Sequence, residues 1–307
     1  MNNSMNLMRP VVVTGADGFV GRSLVDRLRK QGAEVIAIDS QPTVEGTIKA
    51  NICDPMIEQW IPPQSIVIHL AALSTDGQCR QEPEKAVRVN ILGTLNLANV
   101  SKQKGASQFI FASSEWVYGD TNGEEVKTES SPVDVATLTS VYAVTKAATE
   151  PMLRSEIAPE NVTNLRFGIV YGPRPDSWSA VERLLVDVSE KATIQVGSVR
   201  TGRRFIYVDD LVDGILASIG QLGFSTFNLS GNDLVTIGDI ITTSARLLSR
   251  APEVIEASPD DWVQRNPSNA LAVETLGWSP QHDISQGIRE VADFLGLVPP
   301  LEEPGKP

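Results

Sequence analysis

Tyr142 and Lys146 stand four residues apart in the run YAVTK, so a helix would project both from one face. An ammonium beside a phenol lowers its pKa, toward the range where it exchanges protons at neutral pH. Upstream, Ser114 closes the apolar run QFIFASS, where a strand would end and hand over to a turn. A hydroxyl there can hydrogen-bond a carbonyl oxygen and share its proton with the tyrosine. Glu115 follows as a further acid. His69 and His282 are the only histidines, and Cys53 and Cys79 the only cysteines. That excludes a histidine-rich metal centre and a disulfide framework, and no metal site is expected. Acid–base chemistry is left to Tyr, Lys, Ser, Asp or Glu.

A second group of residues points to a dinucleotide. Thr14, Gly15, Ala16, Asp17, Gly18, Phe19, Val20 and Gly21 sit where a strand gives way to a helix. Gly15 permits the tight turn, Gly18 lets the backbone approach a pyrophosphate, and Gly21 lets the helix pack close to the sheet. The helix N-terminus then faces the phosphate charge. Asp39 ends the next apolar run and can accept hydrogen bonds from both adenosine ribose hydroxyls while repelling a 2′-phosphate. Ser40 and Gln41 follow it, with no adjacent Arg, so NAD is expected rather than NADP.

The elements that must position these groups alternate. Residues 10–14, 34–39, 65–70 and 108–113 read as buried strands, and 19–30 and 82–104 as amphipathic helices. Alternation of this kind predicts an α/β fold, a Rossmann-like doubly wound parallel sheet with helices on both faces. The expected organisation is an NAD-binding domain over 1–170 and a smaller C-terminal α/β substrate domain over 171–298. Residues 203–221 are expected to return to the first sheet, and 299–307, rich in proline, to form a disordered tail. Pro151 removes a backbone donor and predicts a kink or stop after about Glu150.

The formal net charge is -12 at pH 7, which argues against a nucleic-acid partner because such binders rely on basic stripes. No apolar run reaches the roughly 18 residues needed to span a bilayer. The N-terminal MNNSMNLMRP lacks a long apolar stretch, so a cytoplasmic address is expected.

Taken together, the motifs resemble those of the extended short-chain dehydrogenase/reductases, of the NAD-dependent nucleotide-sugar epimerase/dehydratase group. They occur in family order as TGADGFVG (14–21), HLAA (69–72), VNILGT (89–94), SSEWVYG (113–119), YAVTK (142–146), VYGPR (170–174), RRFIYVDD (203–210) and LGWSP (276–280). The resemblance implies that Ser114, Tyr142 and Lys146 are catalytic and that Asn90 holds the active-site helix beside the cofactor. It implies that Asp54 contacts adenine and that Ile52, Leu70, Ala71 and Ala72 line the cofactor groove. His69 is then a structural residue at a strand end.

By the same resemblance, the tyrosine takes the proton of a sugar hydroxyl while hydride passes to nicotinamide, leaving a ketose. Dehydratases of the group carry two acids after the Ser/Thr, and here Glu115 is followed by Trp116. The expectation is therefore 4-epimerisation of a nucleotide-diphosphate sugar, with an NAD-linked sugar dehydrogenase or keto-sugar reductase as the alternative. Arg203 resembles a diphosphate clamp, with Arg265 a second candidate. Ile169 stands where such epimerases often carry an asparagine. Relatives often dimerise through two helices, corresponding here to 85–103 and the YAVTK helix, so a homodimer is a further expectation.

Overall fold

The computed structural model describes residues 9–121, 125–175 and 179–299. Seven strands form one parallel sheet: β1 (Val11–Thr14), β2 (Val35–Asp39), β3 (Ile48–Lys49), β4 (Ile66–His69), β5 (Gln108–Ser114), β6 (Val162–Phe167) and β7 (Phe224–Leu229). Their order is β7-β6-β5-β4-β1-β2-β3. The chain builds outward from β1 in one direction, then resumes at β4 and builds in the other. The order therefore reverses between β1 and β4, and an open α/β sheet places its ligand crevice at that switch, beyond the carboxyl ends.

Strand periodicity explains the two faces. Val11 and Val13 point into one core with Leu24 and Leu28 of α1 (Phe19–Lys30). Val12 points into the other with Leu97 of α2 (83–103) and Leu153 of α3 (Val141–Leu153). Every side chain of β1 is fully buried, as expected of a strand covered on both sides.

A third core gathers Val181, Leu185, Ile240, Ile288 and Val291 from the helices Ala180–Glu190, Ile237–Leu248 and Ile284–Phe294. The return to the main sheet differs from the expected 203–221. Gly202–Arg203 belongs to a small separate sheet, pairing with Gln264–Pro267 and Val235–Thr236. The helix α4 (Val208–Ala217) packs Leu211, Val212 and Ile215 against the α1 face. The strand that completes the sheet is β7, beyond the expected stretch, in register with β6 from Val162↔Phe224 to Phe167↔Leu229.

Two helices depart from their simple reading. α3 runs through Pro151 to Leu153 rather than stopping at Glu150; with the helix ending so soon after it, the ring disturbs only the final turn. α2 contains a π-helical segment, Val87–Gly93, between regular α-helical ends. Such segments recur at functional sites because the wider turn re-aims a side chain. Of the tail expected over 299–307, residues 300–307 lie outside the described residues.

Candidate active site

A cleft of ≈ 960 Å³ opens at the carboxyl ends of the strands, lined by the glycine turn, Asp39, Ser114 and Tyr142. That volume lies at the upper end for small-molecule sites and suits a dinucleotide with a second ligand. The glycine turn is built for close approach. Gly15 has φ +72, and a Cβ on it would meet the Ala71 backbone nitrogen at 2.7 Å. A Cβ on Gly21 would fall 2.1 Å from the Gly15 carbonyl oxygen, so only glycine lets α1 enter this tightly. The first turn of α1 carries no acidic side chain to compete for an anion at its N-terminus.

At the far end of β2, the Asp39 carboxylate faces the cleft. It accepts hydrogen bonds from the backbone N–H of Asp17 at 3.2 Å and of Gln41 at 3.0 Å. Gly18, Phe19, Val20, Ile52, Leu70, Ala71 and Ala72 also line the cleft. Three expected cofactor residues, Asp17, Asp54 and Asn90, do not. The Asp17 carboxylate turns away to accept from the Thr43 and Val44 amides and the Thr47 hydroxyl, which hold its pKa low despite the opposing effect of burial. Asp54 is exposed and caps the short helix Pro55–Trp60 through the Met56 amide at 2.9 Å. Asn51, three residues earlier, lines the cleft in its place.

Asn90 is fully buried within the π segment and also lies off the cleft wall. Its amide accepts from Leu73 N–H at 2.8 Å and donates to the Leu73 carbonyl and the Thr145 hydroxyl, each at 3.1 Å. It therefore ties the loop after β4 to α3, acting on the site through backbone position. His69 is buried between the hydroxyls of Thr14 (2.7 Å) and Thr94 (2.9 Å). Burial, reinforced by the Lys146 charge, lowers its pKa to about 3, so it is a neutral structural residue.

Ser114, Tyr142 and Lys146 meet at the end of β5, all lining the cleft. Ser140 caps α3 by accepting from Ala143 N–H and donates to Asp76, which fixes the helix start just before the tyrosine. Burial pushes the Tyr142 phenol up to about 12, opposed by its hydrogen bond to Ser114. The depression expected from the ammonium is not present. Lys146 Nζ donates to the Ala112 carbonyl at 2.7 Å and lies 5.8 Å from the tyrosine ring centroid. Burial lowers Lys146 itself to about 8, resisted in part by Glu150.

Behind the lysine lies a network that motif reading passed over. Glu150 pairs with Arg166 at 2.6 Å and accepts from Ser113 at 2.5 Å. Arg166 also donates to the Tyr118 hydroxyl at 2.8 Å, which in turn donates to Asn228 at 2.8 Å. Glu150 lies four residues beyond Lys146, on the same helix face, and that spacing is the signal that would have found it.

Glu115 faces away from the cleft. Ser114 is the extended cap of the tight turn Glu115–Tyr118, so successive side chains diverge: Trp116 enters the cleft, and Glu115 is buried behind it. Neither Glu115 oxygen has a hydrogen-bond partner, and burial raises its pKa to about 7 against the pull of Arg265 and Arg203. Arg203 and Arg265 do not line the cleft directly either. They are cross-strand neighbours in adjoining parallel strands, a repulsive pairing for like charges. Arg203 Nε lies 3.9 Å from Glu115, and Arg265 pairs with Asp120 while its guanidinium lies 4.1 Å from the centre of the Trp116 ring. The buried Arg265 and the half-buried Arg203 thus flank the buried Glu115 behind the cleft wall, with Asp120 paired to Arg265.

The sequence profile described as NAD dependent epimerase/dehydratase family matches residues 11–229. The chain belongs to that family. It is 29% identical to UDP-glucose 4-epimerase of Mycolicibacterium smegmatis, over 92% of this chain and 97% of that one. It is equally 29% identical to UDP-glucuronic acid decarboxylase 1 of Arabidopsis thaliana, over 94% of this chain and 70% of that one. Among solved structures, MoeE5 in complex with UDP-glucuronic acid and NAD superposes with a TM-score of 0.82 at 27% identity, covering 94% of this chain and 99% of that one. The UDP-glucose 4-epimerase of Thermus thermophilus in complex with NAD gives 0.81 at 26% identity, covering 94% and 100%. NAD is the cofactor of this family, and the Gly15–Gly21 turn with Asp39 fits it: close backbone approach for the pyrophosphate, a carboxylate for the ribose. Among the described residues, no helix is long and apolar enough to cross a membrane, and no group of acidic, histidine or cysteine side chains has a metal-binding arrangement.

Proposed function

We propose that the protein is an NAD-dependent epimerase of a nucleotide-diphosphate sugar, acting by transient oxidation at C4 and return of the hydride. One observation carries this reading. The Ser114–Tyr142–Lys146 set lines the family's cleft, and the place of a dehydratase's second acid is taken by the indole of Trp116. Proton transfer at one sugar hydroxyl is provided for, while acid catalysis of water loss is not.

Ser114 orients the sugar oxygen, and Tyr142 accepts its proton as the C–H electron pair leaves. NAD, when bound, supplies at its nicotinamide ring the hydride acceptor and donor and, when oxidised, a positive charge. With the phenol lifted to about 12 by burial, proton uptake requires positive charge nearby. Lys146 provides it from the protein side, sustained by Glu150 on the next turn. After the keto-sugar turns over in the cleft, Tyr142 returns the proton to the oxygen and the hydride returns to the other face. Arg203 and Arg265, set behind the cleft wall, contribute positive charge toward the diphosphate without touching it, and Ile169 replaces an amide on the cleft wall with apolar surface.

The decarboxylase relatives favour a second reading with the same first step. A uronic acid oxidised at C4 is a β-keto acid, which loses its carboxylate as carbon dioxide. The exposed Val87, Leu92 and Met152 on α2 and α3 offer apolar surface suited to a second copy of the chain, and a cytoplasmic address accords with both ligands. The holoenzyme given UDP-glucose or UDP-glucuronate and followed by NMR tests the reading. A UDP-sugar isomer of unchanged mass is expected. A pentose product with carbon dioxide would replace epimerisation by decarboxylation, and stoichiometric NADH would replace it by dehydrogenation.

A further inference from the structure

Trp116 belongs to no acid–base step, yet it lines the cleft beside Tyr142 and in contact with Arg265. Its indole meets the Tyr142 ring edge-on, with centroids 6.3 Å apart and planes at 79°. The Arg265 guanidinium lies 4.1 Å from its ring centre. The indole is held firmly. The Trp116 backbone N–H donates to the Ser114 hydroxyl, and the turn is anchored further on through Tyr118 to Arg166 and Asn228. Arg265 is fixed by the Gly119 carbonyl at 3.2 Å and by Asp120.

A nucleotide sugar whose C4 hydroxyl reaches Tyr142 must lay its hexose ring beside that phenol, along this indole. We propose that Trp116 is the sugar-binding wall of the site, packing against the apolar C–H face of a neutral hexose and so setting which sugar is accepted. The inference rests on the nucleotide-sugar reading above. A rigid aromatic surface flanked by polar groups is the usual means of orienting an amphipathic ring. It also explains why an apolar residue occupies a place beside the acid–base set. Glu115 lies buried directly behind, 3.9 Å from Arg203, while Arg265 on the indole is paired with Asp120.

Calorimetric titration of the holoenzyme with UDP and, separately, with UDP-glucose tests the proposal in wild type, Trp116→Phe and Trp116→Ala. Trp116→Ala is expected to weaken UDP-glucose about tenfold while UDP changes by less than about twofold. Trp116→Phe, which keeps an aromatic wall, is expected to retain most of the sugar affinity, which also guards against a folding defect in the alanine variant. Tryptophan fluorescence adds a second readout: a change on adding UDP-glucose beyond that caused by UDP, lost in Trp116→Phe. Equal weakening of both ligands would show that Trp116 only supports Arg265 and would overturn the proposal, as would unchanged UDP-glucose affinity in Trp116→Ala. Failure of the wild type to bind UDP at all would overturn the nucleotide-sugar reading itself, and the wall with it.

Discussion

Asp39 ends β2 and Asp54 follows a turn, and only the structure separates their roles. Asp39 reaches the cleft, whereas Asp54 caps a short helix outside it. Asp39→Ala is expected to weaken NAD binding about ten- to a hundredfold, the scale of hydrogen bonds to a charged acceptor. Asp54→Ala should leave NAD binding unchanged while lowering stability by about 1 kcal/mol as a lost cap. Fluorescence titration with NAD and thermal melts of both variants check the pair; equal NAD loss in the two would return Asp54 to the adenine site. Tyr142→Phe is expected to lower kcat by about 10²–10⁴-fold, the range of general acid–base catalysis, with NAD still bound. The tyrosine, the lysine and the glycine turn were legible because each pattern is local. The direction of Glu115 was not, because neighbouring residues of a tight turn point to opposite sides and sequence carries no sign for which enters the cleft.

At the scale of elements, the strand–helix alternation was readable through β5 from apolar runs and glycine punctuation. The π segment of α2 was not, since its sequence is ordinary helix and its widened turn follows from where Asn90 must bond. Asn90→Ala would leave the Leu73 N–H without its partner and its carbonyl with only the Cys79 thiol, at about 1–3 kcal/mol for a polar group left buried and unsatisfied. A lowered Tm is expected, together with a fall in kcat as α3 loses its tie to the loop after β4. If Tm falls and kcat holds, the link serves stability alone. Arg203 and Arg265 were each legible singly, and their adjacency was not. Parallel pairing of strands far apart in sequence brings them together, and nothing in either local stretch records that partner.

For the molecule as a whole, a net charge of -12 means that any doubly anionic ligand approaches against the overall field. Burial of charge also shapes the response to acid. His69 has its pKa lowered to about 3 by burial, so between its unfolded value near 6.5 and that point the unfolded chain binds the extra proton. Its contribution is fully present above about pH 6.5 and is lost as pH falls toward 3, at about 1.4 kcal/mol per unit. His69→Asn should therefore flatten the dependence of unfolding free energy on pH across that window in denaturant melts, and an unchanged slope would place the acid sensitivity elsewhere.

The proposed epimerisation requires that the hydride taken from the sugar return to the same sugar within one turnover. The direct measurement uses UDP-glucose deuterated at C4, with the C4-inverted product analysed by NMR and the cofactor by its absorbance. Full retention of deuterium at C4 of the product, with the enzyme's NAD oxidised at the end, is the predicted result. Deuterium found on released NADH, or lost from the sugar to solvent, would contradict it.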